Sequence, residues 1–132
     1  MSDLFKRYLE AVAEKTLQHG GTASNPVALE FLPIRDLWCF PKYPSKTAIL
    51  PSTVNLTAEL ESFIDQNKKL LNEDDCWLGT WVNPQTGDYY LDVSTGIKGL
   101  EAARETAIRV GNNEGRKIVA IFNPARNETI FL

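Results

Sequence analysis

The segment "WLGTWVNPQTGDYYLDV", residues 77–93, decides the fold prediction for this chain. Both of its ends are rich in the aromatic and β-branched residues that favour strands, and an Asn-Pro pair lies between them. Asn83 can hydrogen-bond its own backbone, Pro84 presets φ at the next position, and Gly87 can adopt the positive φ that closes a turn. The pattern predicts a β-hairpin with one strand on each side of this turn.

Residues 117–131 repeat the same pattern. The stretch "IFNPARNETIFL" again places an Asn-Pro pair, Asn123 and Pro124, between two strand-like runs. We therefore predict a second hairpin with the same turn chemistry. The similarity is too short to indicate a duplicated unit, and convergence on a favourable turn explains it.

Alternation along the second strand of the first hairpin separates two sets of side chains. Tyr89, Leu91 and Val93 should point to one face of the sheet, and Tyr90 and Asp92 to the other. The first set is apolar, so we expect it to face the helices and the second set to meet solvent. Three interpretations of the outer residues stay open: hairpin stabilisation by cross-strand aromatic pairs, a binding surface, or a catalytic site.

The rest of the chain predicts one domain of three parts. Residues 1–19 have the apolar spacing of an amphipathic helix, residues 20–26 look like a flexible connector, and residues 27–132 form an α+β body. Apolar residues also recur at helical spacing in residues 56–71 and 100–110. With the hairpins, this order predicts an α+β fold: an antiparallel β-sheet of four to six strands with about three helices packed on it.

A proline interrupts the strand-like residues 27–40. Pro33 cannot occupy a central strand, so this stretch predicts an edge strand, a bulge or two short strands. Next comes a proline-rich loop, which should be ordered and contain one short strand near residues 47–50.

Composition restricts the class of protein. The chain has 132 residues, of which 43% are hydrophobic and 23% charged, as is typical of one globular domain. The net charge is −3 and no basic stripe is present, so nucleic-acid binding is not favoured. No apolar run approaches the roughly 20 residues of a membrane span, and the N-terminus lacks the apolar core of a signal peptide. We therefore predict a cytoplasmic protein without membrane attachment.

Cofactor and metal chemistry have no sequence signature here. Cys39 and Cys76 are the only cysteines, and we expect both to be reduced and largely buried. His19 is the only histidine, so a cysteine-based metal site would lack ligands, and a capping or solvated role at the helix end suits it better. The chain has no P-loop, dinucleotide-binding glycine motif or metalloprotease motif. We predict no cofactor and no metal.

Two parts of the chain supply candidate binding residues. The outer face of the first hairpin combines aromatic and acidic side chains, and the stiff loop "FPKYPSKT", residues 40–47, combines aromatic, proline and lysine residues. Such a loop loses little entropy on binding. The candidates are Trp81, Tyr90 and Asp92 in the hairpin, and Lys42, Tyr43 and Lys46 in the loop.

No catalytic residue can be assigned from the sequence. General acid–base catalysis on the glycosidase pattern needs two carboxyl groups converging on one cleft. Glu30, Asp36, Asp88 and Asp92 are the candidates, but their spacing brings no pair together. No nucleophile-elbow motif is present either.

One segment resembles known sequences. The stretch "GTWVNPQTGDYYLDVSTGIKGLEAARETAIRVGNNEGRKIVAIFN", residues 79–123, is similar to a segment of uncharacterised bacterial and bacteriophage proteins with the pattern G-x-W-x-x-P-x-T-G-x-x-Y-x-D-V, a helix, then a basic residue and a short strand. The matching residues are Gly79, Trp81, Pro84, Thr86, Gly87, Tyr90, Asp92, Val93 and Lys117. The resemblance implies a bacterial or mobile-element origin and no particular activity.

The leading functional hypothesis is a non-catalytic module that binds another protein. One alternative is a small enzyme acting on nucleic acid or a nucleotide, with Tyr90, Asp92, Lys42 and Lys46 in one cleft. Another is a homodimer that uses the candidate face as its own interface. An enzyme should have a concave pocket with converging polar groups, a binding module an apolar patch, and a homodimer a patch buried across a two-fold axis.

Overall fold

The computed structural model describes residues 2–132, which form an α+β fold with one antiparallel sheet. The helices are α1 (Asp3–His19), α2 (Leu56–Gln66), α3 (Lys68–Leu71) and α4 (Leu100–Glu114), with a 3-10 turn at Pro44–Lys46. The strands are β1 (Gly21–Asn25), β2 (Glu30–Phe31), β3 (Trp38–Pro41), β4 (Ala48–Leu50), β5 (Trp77–Val82), β6 (Tyr89–Ile97), β7 (Ala120–Asn123) and β8 (Glu128–Phe131). No helix of the described chain is long and apolar enough to cross a membrane.

The sheet is larger than the sequence predicted. In residues 2–132 it has eight strands instead of four to six, in the order β2-β1-β5-β6-β3-β7-β8, with β4 also paired to β6. Residues 20–26 are not a flexible connector, because Gly21–Asn25 forms β1 between β2 and β5. The small polar residues of β1 lack the apolar alternation that marks a strand, so only its two neighbours specify its conformation.

The described part of the chain has four helices instead of about three. Residues 56–71 form two helices, since the chain leaves the helical conformation at Asn67, where φ is −121°. The Asn67 side chain donates a hydrogen bond to the Phe63 carbonyl, 2.9 Å away, and so stabilises the end of α2. Residues 27–40 form two short strands, one of the predicted outcomes, with Pro33 lying between them.

Both predicted hairpins are confirmed. In the β5–β6 turn the Asn83 side chain accepts a hydrogen bond from the Gln85 amide, 2.9 Å away, and Gly87 has φ of +78°. In the β7–β8 turn the Asn123 side chain accepts bonds from two backbone amides in the same way. Local turn chemistry therefore fixes the pairing of both hairpins.

Strand β6 is the centre of the sheet. Along one edge it pairs with β5; along the other it pairs with β4 through Tyr89, Tyr90 and Leu91, and then with β3 from Ser94 onward. Between these two partners the Val93 carbonyl accepts a bond from the backbone amide of residue 42, 2.9 Å away. This change of partner leaves a break in the sheet beside residue 92.

The helices pack on one face of the sheet. The larger core cluster joins residues of α1, α2 and α3 to Leu78, Tyr89, Leu91 and Val93, which confirms the predicted inward set of β6. A second cluster packs α4 against β3 and β7. The sheet curves so that its other face is concave. The ring of Trp81 in β5 lies near that of Phe131 in β8, with centroids 6.1 Å apart, although three strands separate β5 from β8 in the sheet order.

Candidate functional site

A cavity of about 490 Å³ occupies the concave face of the sheet, opposite the packed helical face. Its lining comes from strands β1 to β7, from the end of α1, and from loops beside these strands, including the segment before β7. This volume lies within the range of pockets that bind small molecules, roughly 300–1,000 Å³.

Aromatic side chains form part of the cavity wall. Trp77, Trp81 and Tyr90 line it, and all three belong to the face of the β5–β6 hairpin that carries no helix. The Trp81 and Tyr90 rings form a cross-strand pair in an edge-to-face arrangement, with centroids 5.0 Å apart and planes at 71°. Asn83 donates a hydrogen bond to the Tyr90 hydroxyl, 3.4 Å away. The pair therefore stabilises the hairpin and presents ring surface to the cavity.

A glycine makes room beside the acidic residue of this face. Gly79 lies directly across the sheet from Asp92, and a Cβ at this position would overlap the Ser94 hydroxyl. The absence of a side chain at residue 79 thus lets Asp92 and Ser94 occupy the floor of the cavity.

Asp92 is a buried carboxylate with one hydrogen-bond donor. Only 9% of its surface is exposed, so the expectation that it meets bulk solvent was wrong. The Thr47 hydroxyl donates to its Oδ1 at 2.7 Å, and the Arg116 guanidinium donates to the Thr47 carbonyl at 2.7 Å instead of to the carboxylate. Within residues 2–132, none of the ion pairs includes Asp92.

The surroundings of Asp92 disfavour its charged form. Burial raises the pKa of Asp92 to about 6, while the Thr47 hydrogen bond and the nearby Arg116 charge act in the opposite direction. The carboxylate therefore changes its charge close to neutral pH. A strongly perturbed titrating group in a cavity is typical of functional sites.

The charge of the cavity differs in sign from that of the protein. Its lining includes three cations, Lys15, Arg116 and Lys117, whereas Asp92 is the only carboxylate among the lining residues of the described chain. The Lys15 ammonium lies 4.2 Å from the centre of the Phe31 ring at the β1–β2 end. The whole chain carries −3, so the excess of cations is a local property of this surface.

The candidate residues predicted from the sequence divide into two groups. Trp81, Tyr90 and Asp92 come together in the cavity. Lys42 and Tyr43 do not line it, and Lys46 is exposed, so the cleft combining Tyr90, Asp92 and these lysines does not form. The loop lysines were chosen by composition, which carries no information about the direction of a side chain.

Lys42 and Tyr43 instead hold the loop that follows α3. The Lys42 ammonium lies 2.9 Å from a Glu73 oxygen and 3.0 Å from an Asp75 oxygen, and the Tyr43 hydroxyl donates to Glu73 at 2.7 Å. These bonds lower the pKa of Glu73 and raise the pKa of Lys42. Glu73, Asp75 and Cys76 bring potential metal ligands within 4.8 Å of one another, but the Lys42 ammonium already forms ion pairs with both carboxylates. The arrangement suits a structural contact better than a metal site.

The remaining candidate acids lie apart from the cavity. The Asp36 carboxylate accepts bonds from Arg126 at 3.0 Å and from Asn123 at 2.7 Å, which lower its pKa. Neither Glu30 nor Asp88 lines the cavity. His19 does line it, from the exposed end of α1.

Both cysteines are free thiols. Cys39 lines the cavity and Cys76 lies beside the Lys42 contact, and both side chains have intermediate exposure. Burial raises the pKa of both thiols to about 12. Neither thiol therefore has the lowered pKa of a reactive cysteine.

Sequence patterns did not identify Thr47, Arg116 or Lys15 as parts of the site. Arg116 and Thr47 are 69 residues apart in the chain, and only the fold places them together. Comparison with protein-family models, curated proteins and solved structures found no match. The resemblance of residues 79–123 to bacterial and bacteriophage segments therefore stays a prediction.

Proposed function

We propose that the protein is a ligand-binding domain that takes a small polar ligand into the concave cavity, where Asp92 accepts hydrogen bonds from it. The observation that carries this proposal is a buried carboxylate that faces a cavity and takes part in no ion pair within residues 2–132. Burial of an unpaired charge lowers the stability of a folded protein. A ligand that offers donors to Asp92 would offset this cost.

Binding is favoured over acid–base catalysis of the two-carboxylate kind. Such catalysis needs a second carboxyl group near the first, and Asp92 is the only one among the described residues that line the cavity. The concave pocket with polar groups is nonetheless the feature expected of an enzyme. Turnover of a bound ligand would therefore favour the enzymatic alternative over simple binding.

Saturation-transfer NMR with a library of small polar aromatic fragments tests the proposal. We expect fragments to bind the wild-type protein, and binding to be lost in Ala23→Trp, which fills the cavity from β1. Ile49→Trp, at the more exposed strand β4, narrows the same cavity with less risk to folding. The control is Ala11→Trp, an exposed position on α1 that does not line the cavity.

The outcomes are distinct. Loss of fragment binding in both cavity variants, with binding retained in the α1 control, supports the proposal. Equal binding to all four proteins means that the fragments bind elsewhere, and absence of binding to the wild type overturns the proposed function. Amide spectra of each variant show whether it is folded.

Binding of another protein is a second candidate, favoured by exposed apolar side chains around the cavity. Ile34 is 76% exposed and Ile49 43% exposed, and both line the cavity, while Phe131 is 39% exposed beside Trp81. A partner that covers this rim should no longer bind the double variant Ile34→Asp/Ile49→Asp. It should still bind the control Ile108→Asp, which replaces an exposed isoleucine on α4. Sedimentation of the same variants tests the homodimer alternative.

A further inference from the structure

We infer that the ligand of this cavity is a nucleotide-sized anion whose planar ring carries N–H donors, as in guanosine monophosphate. The inference rests on the proposed function, because it names the class of ligand for the same cavity. Three properties carry it: the acceptor at Asp92, the aromatic wall, and the cations of the lining.

Asp92 selects for hydrogen-bond donors. A carboxylate has two oxygens and about four acceptor sites, and the Thr47 hydroxyl uses one of them. The Arg116 guanidinium, whose charge acts on the Asp92 carboxylate, donates its hydrogen bond to the Thr47 carbonyl. A ring edge with two adjacent N–H groups can bond a carboxylate through both oxygens, and such bidentate pairing adds both energy and geometric specificity.

The aromatic wall suits a flat ring. Trp77, Trp81 and Tyr90 line the same cavity as Asp92, and they lie on the two strands that carry its floor. A base that bonds Asp92 would lie against these rings, where stacking contributes to affinity without regard to sequence. A cavity of about 490 Å³ has room for one nucleotide and not for a chain of them.

The cations select for an anionic group on the same ligand. Among the described residues, the cavity lining has three cations (Lys15, Arg116 and Lys117) and a single carboxylate, so a simple amine would meet three positive charges. A simple anion would be repelled by the Asp92 carboxylate. A ligand with a donor-bearing ring and a phosphate can bond the Asp92 carboxylate through its ring and the cations through its phosphate. Phosphate is a favoured partner of arginine and lysine side chains.

Isothermal titration of the full chain with four compounds tests this inference. We expect guanosine monophosphate to bind most tightly. Adenosine monophosphate lacks the paired N–H edge and should bind about tenfold or more weakly, the discrimination typical of one bidentate pair. Guanosine should lose the contribution of the cations and the dependence on salt concentration. Inorganic phosphate alone should bind weakly, because it cannot reach Asp92 and the rings together.

Two variants test which side chain contacts the ring of the ligand and which contacts its phosphate. Asp92→Asn should reduce the preference for the guanine ring about tenfold. Because it removes the negative charge that opposes anions in the cavity, it should also strengthen the binding of inorganic phosphate. Lys117→Gln should weaken both monophosphates and reduce the salt dependence, and it should leave guanosine binding unchanged. Lys98→Gln, an exposed lysine outside the cavity, is the control and should change neither.

Each failure has its own meaning. If inorganic phosphate binds as tightly as guanosine monophosphate, the cavity is a simple anion site and the inference fails. If guanosine and its monophosphate bind with equal affinity, the cations do not contribute to binding and the inference also fails. If fragments bind the cavity but no nucleotide does, the inference fails and the proposed function stands. If neither binds, both fail. A fifth titration, with a single-stranded oligonucleotide, tests nucleic acid as the ligand. Tighter binding of the oligonucleotide than of the monophosphate would overturn the inference of a single nucleotide.

Discussion

Asp92→Asn should make the protein more stable above about pH 6. The substitution keeps an oxygen that accepts the Thr47 hydrogen bond and removes the buried charge. The new amide can bond water in the cavity that residue 92 lines. Because the native residue lies in an unfavourable environment for its charged form, removal of the charge should increase the free energy of unfolding.

The magnitude follows from the pKa of Asp92 in the two states. The ordinary value of 3.8 applies to the unfolded chain, and burial raises the folded value to about 6. A difference of about two pKa units between the folded and unfolded states corresponds to about 3 kcal/mol in the free energy of unfolding, since one pKa unit is worth about 1.4 kcal/mol. Between these values the folded state binds more protons than the unfolded state, so the wild type loses stability as the pH rises. The cost is complete above about pH 6 and absent below about pH 4.

Urea unfolding from about pH 4 to about pH 8 measures this effect, with the wild type and the variant compared at each pH. The stability gain of Asp92→Asn should be near zero at the acid end and should grow to about 3 kcal/mol at neutral pH. Other carboxylates titrate in both proteins and cancel in the difference. Asp74→Asn, which changes an exposed loop carboxylate, is the control. A gain independent of pH, or a loss of stability at neutral pH, would refute the reasoning.

Three further predictions concern the packing and the thiols. Leu91→Ala, on the helical face, should cost about 2–5 kcal/mol in urea unfolding, whereas Tyr90→Ala, on the cavity face, should cost about 1 kcal/mol or less; the reverse order would mean that the faces are misassigned. Gly79→Ala should cost about 1–3 kcal/mol, and Ser94→Gly in the same chain should recover part of that loss, which a double-mutant cycle would detect as coupling. Both thiols should react with a thiol reagent after unfolding without reductant and slowly in the native protein; fewer than two reactive thiols in the unfolded chain would indicate a disulfide.

Much of the fold is local in origin and could be predicted. Ser2 accepts a hydrogen bond from the Phe5 amide and starts α1, and the Asn-Pro pairs place the turns of both hairpins. The inward direction of Leu91 and Val93 followed from strand alternation and the burial of apolar surface. Each of these features depends on residues within a few positions of one another.

Strand β1 and the break beside residue 92 could not be predicted in this way. Gly21–Asn25 forms a strand because β5 offers it a free edge: Thr80 in β5 lies opposite Thr22 in β1, and their hydroxyls are 2.6 Å apart. Likewise, β6 pairs first with β4 and then with β3 only because the loop between β3 and β4 crosses the edge of β6. Pairings of this kind join residues that are distant in the chain, and no local preference specifies them.

The candidate site shows the same division most clearly. The amino-acid sequence by itself determined that Trp81, Tyr90 and Asp92 share one face of a hairpin, since alternation in a strand is a local property. Only the tertiary structure decided that this face is concave, that Asp92 is buried, and that Arg116 lies near it. Curvature depends on how all eight strands twist and pair, and the pKa of a carboxyl group depends on the solvent and charges that the whole fold places around it.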